Sequence, residues 1–316
     1  MPAFSTDRMR YAPHRYDQFS NIPRLLPKCR ASQGLRFCNK LTNWQSVRPT
    51  VVLDKSFLQG SKAAAIQEMS QSHRLLMPEA LFYELLSNSD DRAACFGKFH
   101  KQNNPVELIG HPGAMLMREI QSHMPSGKPS LHSELVNFRF HIGLSSPDFV
   151  FTPQAASAVR QRAEELRSDV SEFIDAARIT PTFFPGLLEG SDANRTIARN
   201  TAESAIAGDI DSLRDLYRQL SSPVGESSFP PAELIEVEWA IVRWLQIKLL
   251  FGLDNYCRYP HTIPDTSSNK IYERLEHDVL DAQYLTLGVL EGSFATSEKK
   301  LKKWFHLLCP TGTLHG

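Results

Sequence analysis

No apolar run in these 316 residues reaches the roughly 18–20 positions that a membrane span requires. The nearest stretch, residues 237–253, is interrupted by Glu238, Arg243 and Lys248, which is the pattern of a buried helix. The N-terminus offers no apolar signal-peptide core. Its first 40 residues are basic in the manner of a transit peptide, but Asp7, Asp17 and several aromatics depart from that composition. The five cysteines include no CxxC pair, and Cys29 and Cys38, nine apart, fit no usual zinc spacing, so the reading is reduced thiols in a cytoplasmic protein. Gly127-Lys128-Pro129 lacks the glycine spacing of a phosphate loop, and no internal repeat is visible. Formal net charge is zero, which weighs against a long duplex footprint held by phosphate contacts.

That neutrality conceals an asymmetry. Residues 1–50 hold nine Lys or Arg against two Asp, a net of +7, which leaves −7 for the remainder. A basic arm over residues 1–48, mixed with Pro, Tyr and Ser and without periodicity, suits a polyanionic partner. The length suffices for one large core or two modest ones.

Beyond the arm, residues 50–53 are a continuous β-branched and apolar run, the mark of a buried parallel strand. Asp54 sits at its carboxyl end, and Ser56 is placed to cap a helix through residues 63–69. Residues 73–77 read as a second strand, and Pro78 as the first position of a helix whose apolar stripe is Leu81, Phe82, Leu85 and Leu86. Glu84 lies beside that stripe. Strand, helix, strand, helix implies a parallel sheet with a right-handed crossover. Residues 106–109 suggest a further strand, 114–123 a short helix and 126–130 a turn. From residue 153 the chain reads as helical over 155–177, 191–200 and 201–220. Pro230-Pro231 is expected to open a long helix ending near Gly252. Residues 221–228 form the best internal hinge, and 260–268 a loop.

The stretch from His277 to Lys300 reads as helix, tight turn, short strand and helix start. Asp281, Tyr284, Leu285, Gly288 and Val289 share one helical face, with Asp278 one turn earlier. Gly292 stops the helix, and residues 293–296 form a strand before Ser297-Glu298 caps the last helix. Taken singly, Asp278, Asp281 and Glu298 read as first-turn acids favoured by the helix dipole.

Together these segments resemble the PIN domain, a metal-dependent nuclease fold found in toxin ribonucleases and RNA-processing enzymes. The resemblance rests on Val51-Val52-Leu53-Asp54-Lys55-Ser56, on Met77-Pro78-Glu79-Ala80-Leu81-Phe82-Tyr83-Glu84, and on Asp281-Ala282-Gln283-Tyr284-Leu285 leading to Ala295-Thr296-Ser297-Glu298. It covers residues 50–90 and 271–310; Glu298 stands where the family usually carries Asp. It implies an α/β fold, a PIN-like parallel sheet flanked by helices, built from residues 49–110 and 256–316. Residues 111–255 would be a large all-α insertion that includes part of the core's own middle helices.

It further implies that Asp54, Glu84, Asp281 and Glu298 are catalytic and bind Mg²⁺ or Mn²⁺, with Asp278 as a further ligand. Lys55, Ser56, Thr296, Lys299 and Lys300 would serve the substrate. The chemistry asks for such residues: phosphodiester hydrolysis needs charge neutralisation and an activated water, which hard cations on carboxylates supply. The expected function is a metal-dependent endoribonuclease acting on single-stranded or structured RNA, with a toxin or defence role, an inhibitory protein partner and homodimerisation all left open. Two rivals stand beside it: a catalytically silent PIN-like nucleic-acid-binding or scaffold protein, and a structure-specific DNA nuclease. His277 reads as a structural histidine ahead of a proton shuttle. Trp239 and Trp244 read as core ahead of stacking platforms for bases, and Arg243 and Lys248 as snorkelling side chains at a core edge ahead of lining a substrate groove.

Overall fold

The computed structural model describes residues 48–99, 104–135, 142–146, 148–221, 229–259 and 269–316. Nearly all of the basic arm, the hinge at 222–228 and the loop at 260–268 therefore lie outside the described residues.

Strand β1 is Thr50–Leu53, with Val51, Val52 and Leu53 fully buried. At about 1.5–3 kcal/mol per buried aliphatic side chain, this short run is a strong nucleus for a sheet covered on both faces. After β1 the chain forms α1 (Lys55–Gly60), α2 (Ala63–Ser72), β2 (Arg74–Pro78), α3 (Glu79–Ser87) and α4 (Ser89–Phe96). Then come β3 (Glu107–Ile109), α5 (Pro112–Ser122), α6 (Pro153–Phe183), α7 (Asp192–Gly208) and α8 (Ile210–Ser221). The final elements are α9 (Ala240–Arg258), α10 (Asn269–Glu291), β4 (Ser293–Ala295), α11 (Lys299–Leu308) and β5 (Thr313–His315). Among the described residues five strands make one sheet in the order β3-β2-β1-β4-β5, and every pairing is parallel. This is an α/β architecture with helices packed on the sheet. Among the described residues no helix is long and apolar enough to cross a membrane.

The strand order matters for function. The chain leaves β1 toward β2 and β3 on one side and returns to place β4 and β5 on the other. A reversal of this kind opens a crevice at the carboxyl ends of the two strands where it occurs, here β1 and β4. Asp54 and Thr296 are the residues that follow those strands.

Several boundaries depart from the sequence reading. Ser56 lies inside α1 rather than capping it, because its hydroxyl turns back to the Asp54 carboxylate. The long helix expected from Pro230-Pro231 begins only at Ala240; its first N–H groups are met by Glu119, which accepts from Ala240 N at 2.7 Å and Ile241 N at 2.9 Å. A buried carboxylate from α5 thus does the work of a local cap. The last long helix begins at Asn269, so Asp278 and Asp281 lie deep within it and the first-turn reading of these acids is wrong. Ile271, Leu275 and Val279 give its first half an apolar stripe at four-residue spacing, beside the charged residues that share the face of Asp281. Strand β5 and helix α4 went unread.

The core is continuous from the sheet into the helices. Trp239, Trp244, Ile247 and Phe251 belong to the same buried cluster as Val51, Leu76 and Phe294, so the tryptophans are core as expected. Lys248 does not snorkel: it is buried, paired with Glu172 of α6, and lies over the Trp244 ring. At the opposite end of the sheet, Glu291 accepts from Thr50 Oγ1 and from Ser130 N and Oγ at 2.9 Å, locking the end of α10 to the start of β1.

Candidate active site at the carboxyl end of the sheet

Asp54 is held rigidly. Its backbone N–H extends the β1–β4 ladder by donating to the Ala295 carbonyl at 3.0 Å. Its Oδ2 accepts from Ser56 Oγ and, at 2.6 Å, from Thr296 Oγ1. The two hydroxyls are 3.2 Å apart, and they in turn accept the N–H groups of Ser297 (3.0 Å) and Glu298 (3.1 Å). Ser56 and Thr296, expected to serve the substrate, tie the two strand ends together and aim the Asp54 carboxylate. Burial pushes the Asp54 pKa up, the two hydroxyls oppose this, and the Glu298 charge adds to it.

Asp281 arrives from α10. It accepts no hydrogen bond and forms no ion pair among the described residues. Burial, then the charges of Glu298 and Asp54, drive its pKa well above the ordinary value of 3.8. The Asp54, Asp281 and Glu298 carboxylates therefore repel one another; Lys300, 4.0 Å from Glu298, offsets part of this, and Asp281 has no hydrogen-bond donor among the described residues.

Glu84 is placed differently. Its Oε1 meets Lys55 Nζ at 3.0 Å and His277 Nδ1 at 3.3 Å, and its Oε2 accepts from Tyr284 OH at 2.6 Å. Burial alone would raise its pKa, but the bond from His277, the Lys55 charge and the Tyr284 hydroxyl outweigh it and leave the carboxyl low. Tyr284 links the two groups of acids: Glu84, Asp54 and Asp281 all help to push its own pKa up, behind burial as the largest cause. Lys55, expected to serve the substrate, also pairs with Asp91 at 2.9 Å and so bridges two acids.

Asp278 is likewise occupied. Arg258 reaches it at 2.9 Å and Lys300 at 2.8 Å, and Lys300 further lies over the Phe251 ring at 4.6 Å. Burial disfavours the Lys300 charge, but Asp278, Asp281 and Asp254 together outweigh it and raise its pKa. Lys299 is exposed at the start of α11.

Asp278, Asp281, Glu298 and Lys300 line an open cleft of about 540 Å³ with residues of α9 and α10, while Asp54, Glu84 and Tyr284 lie outside its lining. Asp281 and Glu298 are its acids at the Asp54 end, and Glu273 and Asp278 also line it; Arg258, Lys270, Arg274 and Lys300 supply its basic side chains, with His277. No family model, no curated protein and no solved structure matches the chain. Function must therefore be argued from the cleft itself.

The donor set of Asp54, Asp281 and Glu298 is all oxygen and all anionic, which suits a hard cation such as Mg²⁺ or Mn²⁺. The unpartnered Asp281 carboxylate, repelled from two sides, fits the charge such an ion carries. Among the described residues, no three His, Cys, Asp or Glu side chains stand close enough to enclose an ion in their present positions. Glu84 is engaged by Lys55, His277 and Tyr284, and Asp278 by Arg258 and Lys300, so a cation would have to compete with these partners for either carboxylate. Sequence reasoning missed Tyr284 and Asp91 as partners. Tyr284 was visible three residues from Asp281 on the same face, but reads there as packing; Asp91 follows Asn88, whose side chain caps α4 by accepting from Asp90 N and Asp91 N.

Proposed function

We propose that the chain is a PIN-like, metal-dependent endoribonuclease whose reaction centre is formed by Asp54, Asp281 and Glu298. The observation that carries this reading is the unpartnered Asp281 carboxylate, set beside two other acids at the switch point of a parallel sheet. Asp54, Asp281 and Glu298 would hold Mg²⁺ or Mn²⁺, which supplies charge neutralisation on the phosphate and lowers the pKa of water. Ser56 and Thr296 fix Asp54 so that one carboxylate orientation persists. Arg258 and Lys300 neutralise Asp278, which keeps a fourth unbalanced charge away from these three acids. Lys55, His277 and Tyr284 do the same for Glu84 and join α3 to α10.

Purified protein is expected to cut single-stranded RNA with Mn²⁺ or Mg²⁺, to stop with a chelator, and to lose activity in Asp281→Asn while remaining folded. Cleavage that survives both the chelator and this substitution contradicts the mechanism. A second reading draws on the saturation of Glu84: a site in which one of four expected ligands is sealed by Lys55, His277 and Tyr284 is the arrangement of a silent nucleic-acid-binding protein. RNA binding without cleavage under every divalent ion would favour it.

A further inference from the structure

The basic side chains at the cleft divide into two kinds. Arg258 and Lys300 are tied to Asp254 and Asp278, and Lys300 also lies 4.0 Å from Glu298. Lys270 and Arg274 are exposed, line the same cleft, and form no ion pair or hydrogen bond with any described residue. They stand four apart on α10 and therefore share a face. That face continues through His277 and Asp278 to Asp281.

At 1.5 Å per residue, Arg274 and Lys270 lie roughly 10 and 16 Å along the helix axis from Asp281. A phosphate bound at Asp281 is thus not the group they would neutralise. Their spacing fits phosphates further along the same strand. Glu273, which also lines the cleft, disfavours phosphate on its own side and confines the strand to the line of Lys270 and Arg274.

We propose that Lys270 and Arg274 form a phosphate track that grips single-stranded RNA on one side of the scissile bond, making the substrate a polymer rather than a mono- or dinucleotide. This deepens the nuclease reading and rests on it. The contacts are to backbone phosphates, so they add affinity and register without sequence preference.

The test is equilibrium binding of a labelled 20-nucleotide single-stranded RNA to the full chain across a salt series, with chelator present. Each phosphate contact on a single strand contributes roughly 0.7 to the slope of log K against log salt. Lys270→Gln/Arg274→Gln should therefore flatten the slope by about 1.4 relative to the wild type. Lys270→Arg/Arg274→Lys should keep the wild-type slope. In the presence of Mn²⁺, the Gln double variant should show a raised KM on the 20-mer. A wild-type slope in the Gln double variant overturns the track, as does a wild type that binds a dinucleotide as tightly as the 20-mer. If the wild type cuts RNA and the slope is unchanged, only the track fails. If it cuts no RNA under any divalent ion, the nuclease reading fails and the track with it.

Discussion

The Glu84 carboxylate accepts from Lys55, His277 and Tyr284, whereas Asp281, in the same cluster, accepts from no described residue. Both are half of an expected quartet, and their surroundings send them to opposite roles. Glu84 is held low by its partners, so its contribution to stability is present above the ordinary 4.5 and is lost as pH falls through its folded value. His277 is held high, chiefly by the bond to Glu84; its contribution is complete below the ordinary 6.5 and is lost as pH rises through its folded value. Glu84→Gln should let the His277 pKa fall back toward 6.5, measurable by NMR titration of the ring. An unshifted titration would show that the pair does not form in solution. Asp54 was legible as a carboxylate closing a β-branched strand; Asp281 alone reads as a first-turn helix acid, and only its place on the face of Tyr284 and Leu285, in order after Asp54 and Glu84, singled it out. The neutralisation of Glu84 and Asp278 was not legible, since their partners lie at Lys55 and His277 in one case and at Arg258 and Lys300 in the other, on elements whose angles no spacing reveals.

Helix α10 carries Asp281, His277, Arg274 and Lys270, and its fit on the sheet sets where they stand. Gly288 makes that fit close: a methyl group there would come within 2.7 Å of the Phe294 ring on β4. Phe294 is fully buried and neighbours Thr296 and Glu298 in the chain. Gly288→Ala must either move that ring or lift the helix, at a cost of about 1–3 kcal/mol. It should lower thermal stability and reduce RNA cleavage by more than the folded fraction accounts for, since Asp281 moves relative to Asp54. A variant with wild-type stability would mean that the helix already has room to spare. Gly292, at φ +79°, ends the helix as the sequence suggested. The start of α10 was lost because its charged residues hide a stripe only three positions wide, and the start of α9 because its cap comes from Glu119, more than 100 residues away. Three-residue β5 is too short to show any period.

At the scale of the molecule, the parallel sheet followed directly from the two strand–helix pairs near residue 50, and the helical stretch after residue 153 from its composition. The strand order did not, because it depends on where β4 returns after more than 180 intervening residues. That return creates the crevice and brings Glu298 and Asp281 to Asp54. The cysteines that are described, Cys95, Cys257 and Cys309, are free, so no disulfide among them holds the arrangement together. Packing and ion pairs do so, against the repulsion of the acids at the crevice. The central claim is that this repulsion is the signature of a cation site, and thermal unfolding across pH with and without Mn²⁺ tests it most directly. Because Asp281 binds its proton more tightly when folded, metal-free stability should fall as pH rises from about 3.8 through the folded value. Asp281→Asn should remove that fall and be more stable than the wild type at neutral pH without metal. Mn²⁺ should stabilise the wild type progressively, by about 2.7 kcal/mol at a hundred times its Kd, and should leave Asp281→Asn unmoved. Equal responses of the two proteins to Mn²⁺, or a metal-free Asp281→Asn less stable than the wild type, would contradict the assignment.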